Sequence, residues 1–227
     1  NSVKVNLMRQ AELAAELLDL DPTRIYTAEQ FNDELIRQFS QEDSRQPGEM
    51  EQALRRGLGL PRSRVFGTGT TLDTARLRYL LGDYFTVDPR NVHAYVIGEH
   101  GDSELAVWSS ANISGADLDD YCRIAGITKP ADELSRIYEH VRDAAYQIID
   151  SKGATYYGIG MAVRRIAEAI VRNEHSVLPV TSMIYGHYGV DGICLGVPTI
   201  VGRNGAEAVL DIPLSEEELA QLQRSAN

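Results

Sequence analysis

The chain has 227 residues and a formal net charge of -11, with 33 acidic against 22 basic side chains. That balance excludes nucleic acid and an anionic membrane surface as expected partners, and no apolar run approaches the roughly 20 residues of a membrane span. The apolar share of 43% and charged share of 24% are those of an ordinary globular protein, long enough to bury one large core or two small ones.

Cys122 and Cys194 have no metal-type spacing and read as reduced packing residues of a cytoplasmic protein; no metal site is expected. The start of the chain lacks the basic and apolar segments of a secretory leader. Val3 to Leu20 reads as an amphipathic helix, with Leu7, Ala11, Ala14, Leu17 and Leu18 at helical spacing, and Asp21-Pro22 stops it. Thr27-Ala28-Glu29-Gln30 is a capping-box start for a second helix with Phe31, Leu35 and Phe39 on one face. Ser40 to Gly48 is a polar linker. The first part of the chain is therefore expected to be helical. Gly57, Gly59, Gly67 and Gly69 do not make Gly-x-Gly-x-x-Gly, the usual pyrophosphate cradle of a dinucleotide fold.

Arg64 to Phe66 reads as an extended segment. The loop Gly67-Thr68-Gly69-Thr70 opens a helix over Thr71–Leu81. Asp73 and Arg76 stand one turn apart on it, so both can leave the same face. Gly82 is expected to end the helix and Asp88-Pro89 to turn the chain. His93 to Ile97 is a strand that runs into Gly98-Glu99-His100-Gly101-Asp102. An acid, a guanidinium and an imidazole suit a small carboxylate from which a proton must move. Arginine grips a carboxylate through two parallel hydrogen bonds, histidine exchanges protons near neutral pH, and a buried aspartate steadies the charged ring. Pro130 to Asp150 is the longest helical pattern, with Leu134, Ile137, Val141, Ala144 and Ile148 as its stripe. Ser151 to Ile159 breaks it and starts another helix, up to about Arg172. Val177 to Tyr185, Gly192 to Val201 and Ala206 to Ile212 read as antiparallel strands. Ser215-Glu216-Glu217-Glu218 caps a last helix. The fold class is α/β, with an α+β C-terminal part.

Gly67 to Thr70 running into Leu72-Asp73-Thr74-Ala75-Arg76-Leu77-Arg78-Tyr79, and Ile97 to Glu104 ending in Val107-Trp108-Ser109, resemble the signature of the L-lactate dehydrogenases, the bacterial branch above all, within the lactate/malate dehydrogenase family. The resemblance runs from about Leu58 to the C-terminus, which implies a substrate domain over 58–227 and, over 1–57, a helical remnant or replacement of the nucleotide-binding domain. It implies that family's C-terminal domain, with a mixed, mostly antiparallel sheet and long helices, preceded by a truncated or altered Rossmann remnant. It also implies NAD-dependent interconversion of (S)-lactate and pyruvate, the fermentative end of glycolysis. On that likeness Arg76 binds the substrate carboxylate, Thr155 contacts the substrate, His100 exchanges the proton and Asp73 steadies the imidazolium. Thr68 and Ile159 would lie at the nicotinamide.

Arg78 is swung about 200° from Arg76 around the helix. In bacterial lactate dehydrogenases the residues at the Arg78 and His93 positions bind fructose 1,6-bisphosphate across a dimer interface. The likeness thus implies an allosteric effector and a homodimer or homotetramer. The family usually has proline where this chain has Ala106, which is expected to loosen the loop slightly while removing no chemical group. Neither the glycine fingerprint nor the family's mobile loop, with its carbonyl-polarising arginine, is found. Two other readings stay open: a lactate-type malate dehydrogenase, and a non-catalytic module that kept the substrate site without the cofactor site.

Overall fold

The computed structural model describes residues 61–128, 132–152 and 156–226, with side chains for all of these except 145–152 and 156. The helices expected before residue 58, and the domain boundary there, lie outside the described residues.

Helix α1, Thr71–Phe85, is bolted to strand β1, Val92–Ile97, by two threonines at its start. The Thr70 hydroxyl donates to the Val96 carbonyl at 2.6 Å, and the Thr74 hydroxyl accepts from the Val96 N–H at 2.9 Å. Leu77, Leu81 and Phe85 then enter a core shared with Val92, Ala94 and Val96 of β1. Full burial of one such side chain is worth about 1.5–3 kcal/mol. Gly82 does not end the helix, which runs on to Phe85. A Cβ at Gly82 would stand 2.9 Å from the Val87 carbonyl oxygen and 2.9 Å from the Pro89 ring, so glycine lets the returning chain press against the helix. The end comes at Thr86, left-handed with φ 55, where the Val87 N–H closes back on the Gly82 carbonyl at 2.8 Å. At the other end, Arg62–Arg64 is a single 3-10 turn, and the extended segment expected over Arg64 to Phe66 begins only at Val65.

β1 pairs antiparallel with β2, Leu105–Ile113, and β2 with the two-residue β3, Ala116–Asp117. Ala106 sits inside β2, paired with Val96 and 5% exposed, so it belongs to the sheet and not to a loosened loop. Helix α2, Leu118–Ala125, starts where the Asp117 carboxylate accepts the Asp120 N–H at 2.7 Å. Two long helices follow, α3 over Glu133–Lys152 and α4 over Tyr156–Arg172. A second sheet, β4 (Ser176–His187), β5 (Val190–Gly202) and β6 (Gly205–Val209), is antiparallel in that order. Its strands occupy the three β-rich runs expected from sequence, although the third stops at Val209.

The sheets meet at Gly98 and Gly196, which exchange backbone hydrogen bonds of 2.8 and 2.9 Å. That junction fixes the chain two residues before His100. Helix α5, Glu216–Ser225, closes the described part with the expected capping box of Ser215 and Glu218. No described helix is long and apolar enough to cross a membrane.

Candidate functional site

The threonine bolts hold Asp73 of α1 under the loop that leaves β1. Asp73 is 3% exposed. Its Oδ1 accepts from Arg76 Nη1 at 3.1 Å, and its Oδ2 lies 2.9 Å from His100 Nδ1. One helical turn brings the first pair together, and the junction at Gly98 supplies the second. A further carboxylate stands on the same ring nitrogen: Glu104 Oε2 is 3.5 Å from His100 Nδ1. Neither Asp73 Oδ2 nor Glu104 Oε2 accepts a hydrogen bond of good angle. The imidazole is therefore held mainly by charge across short distances. Its own side chain stays 55% exposed, which leaves the rest of the ring open to solvent.

This arrangement favours the charged ring. His100 is pushed up to about 10, by its contact with Asp73 first and with Glu104 next, against the opposing effect of burial. Burial pushes the Glu104 carboxyl up, and the neighbouring His100 pulls it back. The Tyr138 hydroxyl of α3 donates to the Glu104 carbonyl, and burial and then the Glu104 charge hold that phenol above its ordinary range. Asp73, His100 and Glu104 each bring one ligand-type atom within 4.8 Å of the others. Two ligands on one tetrahedral zinc would stand about 3.3 Å apart. The 2.9 Å between Nδ1 and Oδ2 is shorter than that spacing.

Arg76 is 18% exposed and lines a mostly apolar depression with Leu72, Tyr79 and His140. Helix α4 runs along this side: a Cβ at Gly158 would meet Leu72 at 3.2 Å and Arg76 Nη2 at 3.8 Å. Ile159, the next residue, is half-buried. Thr68 is half-buried in the loop before α1, its carbonyl accepting from the Thr71 N–H at 3.3 Å. The structure thus brings Asp73, Arg76 and His100 together, and places Thr68 and Ile159 on flanking elements. Thr155 lies outside the described residues.

Arg78 points away from this cluster. Its Nε donates to the Ala94 carbonyl at 2.9 Å, and its guanidinium stacks 4.8 Å from the centre of the Tyr95 ring. His93 is exposed on β1, two residues before Tyr95 and so on the same strand face.

Two acids that sequence does not place in the catalytic cluster matter in the fold. Glu104 stood at the end of a recognised motif, but spacing within a glycine turn does not say where a side chain points. Glu218 was read as a helix cap. It also accepts the N–H groups of Trp108 at 2.7 Å and Ser109 at 3.0 Å, and the Ser109 hydroxyl, tying α5 to β2. Those partners are more than a hundred residues away, beyond any local signal. Ser225, at the end of α5, accepts the Glu99 N–H at 2.9 Å and so tethers the His100 loop.

The family described as lactate/malate dehydrogenase, alpha/beta C-terminal domain, matches residues 70–227. The L-lactate dehydrogenase of Acetivibrio thermocellus is 54% identical over 169 residues, covering 74% of this chain and 53% of that protein. The L-lactate dehydrogenase of Thermoanaerobacter pseudethanolicus is 54% identical over 168 residues, covering 74% and 54%. Among solved structures, the minor L-lactate dehydrogenase of Enterococcus mundtii in a ligand-bound form superposes with a TM-score of 0.72 at 44% identity, over 78% of this chain and 56% of that one. A lactate dehydrogenase from a Medee basin deep-sea metagenome gives 0.73 at 44% identity, with the same coverage. The chain spans about half the length of the relatives it matches.

Proposed function

The chain belongs to the lactate/malate dehydrogenase family, and we propose on that basis that it carries the substrate half of an NAD-dependent L-lactate dehydrogenase. The observation that carries this reading is the cluster itself: an imidazole with one edge set against buried Asp73, and a guanidinium held on the same aspartate one turn along. Arg76 grips the carboxylate of pyruvate or lactate with the part of its fork that Asp73 leaves open. His100, protonated, donates to the keto oxygen of pyruvate, and neutral His100 takes the hydroxyl proton of lactate. Asp73 offsets the charge on the ring in the protonated state. Thr155 is expected to complete the substrate contacts.

The described residues fit the nicotinamide end of NAD. Gly158 lets α4 run close beside Arg76, which brings Ile159 to that flank, and Thr68 stands in the loop that opens α1. When bound, the nicotinamide ring supplies or accepts the hydride. The protein's part is to place the substrate, to hold the proton at His100 and to balance charge.

The substrate is read as lactate and pyruvate because the relatives at 54% identity are named L-lactate dehydrogenases. Competition between oxamate, a pyruvate analogue, and tartronate, a malate analogue, tests this. Tighter oxamate binding supports the reading, and tighter tartronate binding reassigns the chain to the lactate-type malate dehydrogenases. Working in the cytoplasm as a homodimer or homotetramer belongs to the same proposal, as does allosteric control by fructose 1,6-bisphosphate at Arg78 and His93. An effector that bridges two subunits stabilises the assembly by mass action. Light scattering should show a larger mass, and melting a higher midpoint, with millimolar fructose 1,6-bisphosphate; no change in either counts against the effector site.

A further inference from the structure

We propose that Glu104 is a positioning residue for His100, a second carboxylate that with Asp73 fixes the imidazole by its Nδ1 edge and keeps it in the proton-donating state. The proposal rests on reading His100 as the group that exchanges the proton with substrate.

Charge counting shows why one carboxylate falls short. Asp73 is shared between two cations, with Arg76 Nη1 at 3.1 Å and His100 Nδ1 at 2.9 Å. Two positive groups on one aspartate leave an excess positive charge in a half-buried place. Glu104 removes that excess. Its side chain is only 3% exposed, and its Oε2 accepts no aligned hydrogen bond while facing His100 Nδ1 at 3.5 Å. A buried carboxylate oxygen without an aligned donor is costly, so its place in a fold calls for a compensating cation. His100 is the cation whose ring nitrogen meets it.

Glu104 is also held in place. It closes the turn through its own N–H, 3.4 Å from the Gly101 carbonyl, and receives the Tyr138 hydroxyl on its carbonyl. The preceding turn is secured by the Ser103 hydroxyl on Glu99 and by Ser225 on the Glu99 N–H. A carboxylate on so fixed a backbone can hold a ring at one angle.

Asp73 of α1 and Glu104 of the loop face His100 Nδ1, Arg76 holds the other oxygen of Asp73, and Tyr138 of α3 donates to the Glu104 carbonyl, with Arg142 acting on that phenol. When His100 loses its proton, Asp73 and Glu104 keep two negative charges against Arg76 alone. Glu104 must then bind a proton more readily, so the two residues titrate as a coupled pair.

The test is nuclear magnetic resonance on the whole 227-residue chain, following the His100 ring nitrogens and the Glu104 carboxyl carbon through pH. Glu104→Gln should lower the His100 midpoint by about one unit, tenfold in its proton equilibrium, and Glu104→Asp should restore part of the difference. An unchanged midpoint in folded Glu104→Gln overturns the proposal. If neither variant folds, the wild-type spectra decide: the Glu104 carboxyl must show a step at the pH where His100 titrates, and a flat carboxyl there overturns it. The outcome separates from the substrate reading. Coupled titration in a chain that binds no oxamate contradicts the proposed function alone, and uncoupled titration in a chain that binds oxamate contradicts the role of Glu104 alone.

Discussion

His100 keeps its proton up to about pH 10 because Asp73, and after it Glu104, favour the imidazolium. In the proposed function pyruvate reduction needs that proton, so its rate should hold through neutral pH and fall as pH climbs toward 10. Lactate oxidation needs the neutral ring and should rise over the same range. Rates in both directions across pH check this, and His100→Gln should abolish both while leaving the circular dichroism unchanged. The same ionisation affects the fold. A ring raised from about 6.5 in the unfolded chain contributes its full stability below that pH and loses it as pH rises through the folded value. The melting temperature should therefore decline between roughly pH 6.5 and 10, and decline less in His100→Gln. Sequence pointed to Asp73 and Arg76 because they stand one helical turn apart, and to His100 because it follows them in the order of the family the chain resembles. It did not show that Arg76 and His100 share one aspartate, nor that Glu104 joins them, since both facts depend on how β1 meets the second sheet.

Helix α1 carries the site, and its stability turns on tertiary contacts more than on local propensity. Alanine is the better helix former by about 0.8–1.0 kcal/mol, yet Gly82→Ala would drive a methyl to 2.9 Å from Val87 and Pro89. We expect a net loss of about 1–3 kcal/mol, the range for overpacking, read from urea unfolding; a stabilised variant would contradict the packing role given to Gly82. Local rules favour glycine just past a helix end and so predict a stop at Gly82; only the fold shows the chain returning over it. The long helices, β1 and the β4–β6 strands were legible from period and glycine spacing. β2 was hidden because Trp108-Ser109-Ser110 breaks its alternation, and Glu218, from the far end of the chain, binds the backbone there. α2 was hidden in a short acidic stretch whose start depends on the Asp117 cap.

For the whole molecule, the family match covers residues 70–227, and the chain spans about half the length of its relatives. A dinucleotide draws much of its affinity from backbone donors at its pyrophosphate, and the sequence holds no Gly-x-Gly-x-x-Gly. This chain alone should bind NADH weakly, through Thr68 and Ile159, and turn pyruvate over slowly, because hydride transfer loses a positioning advantage worth about 7–11 kcal/mol when complete. Fluorescence titration with NADH measures the first and single-turnover assays the second; tight binding with rapid turnover would show a nucleotide site in residues 1–60. The proposed substrate site does not depend on that outcome. Its most direct test is a titration of the chain with oxamate, followed at the His100 ring nitrogens. The account predicts a saturable shift in the wild type and an affinity several kcal/mol weaker in Arg76→Lys, about the scale of truncating one partner of a buried charge pair. A His100 signal indifferent to oxamate, or one that responds equally in Arg76→Lys, would contradict it.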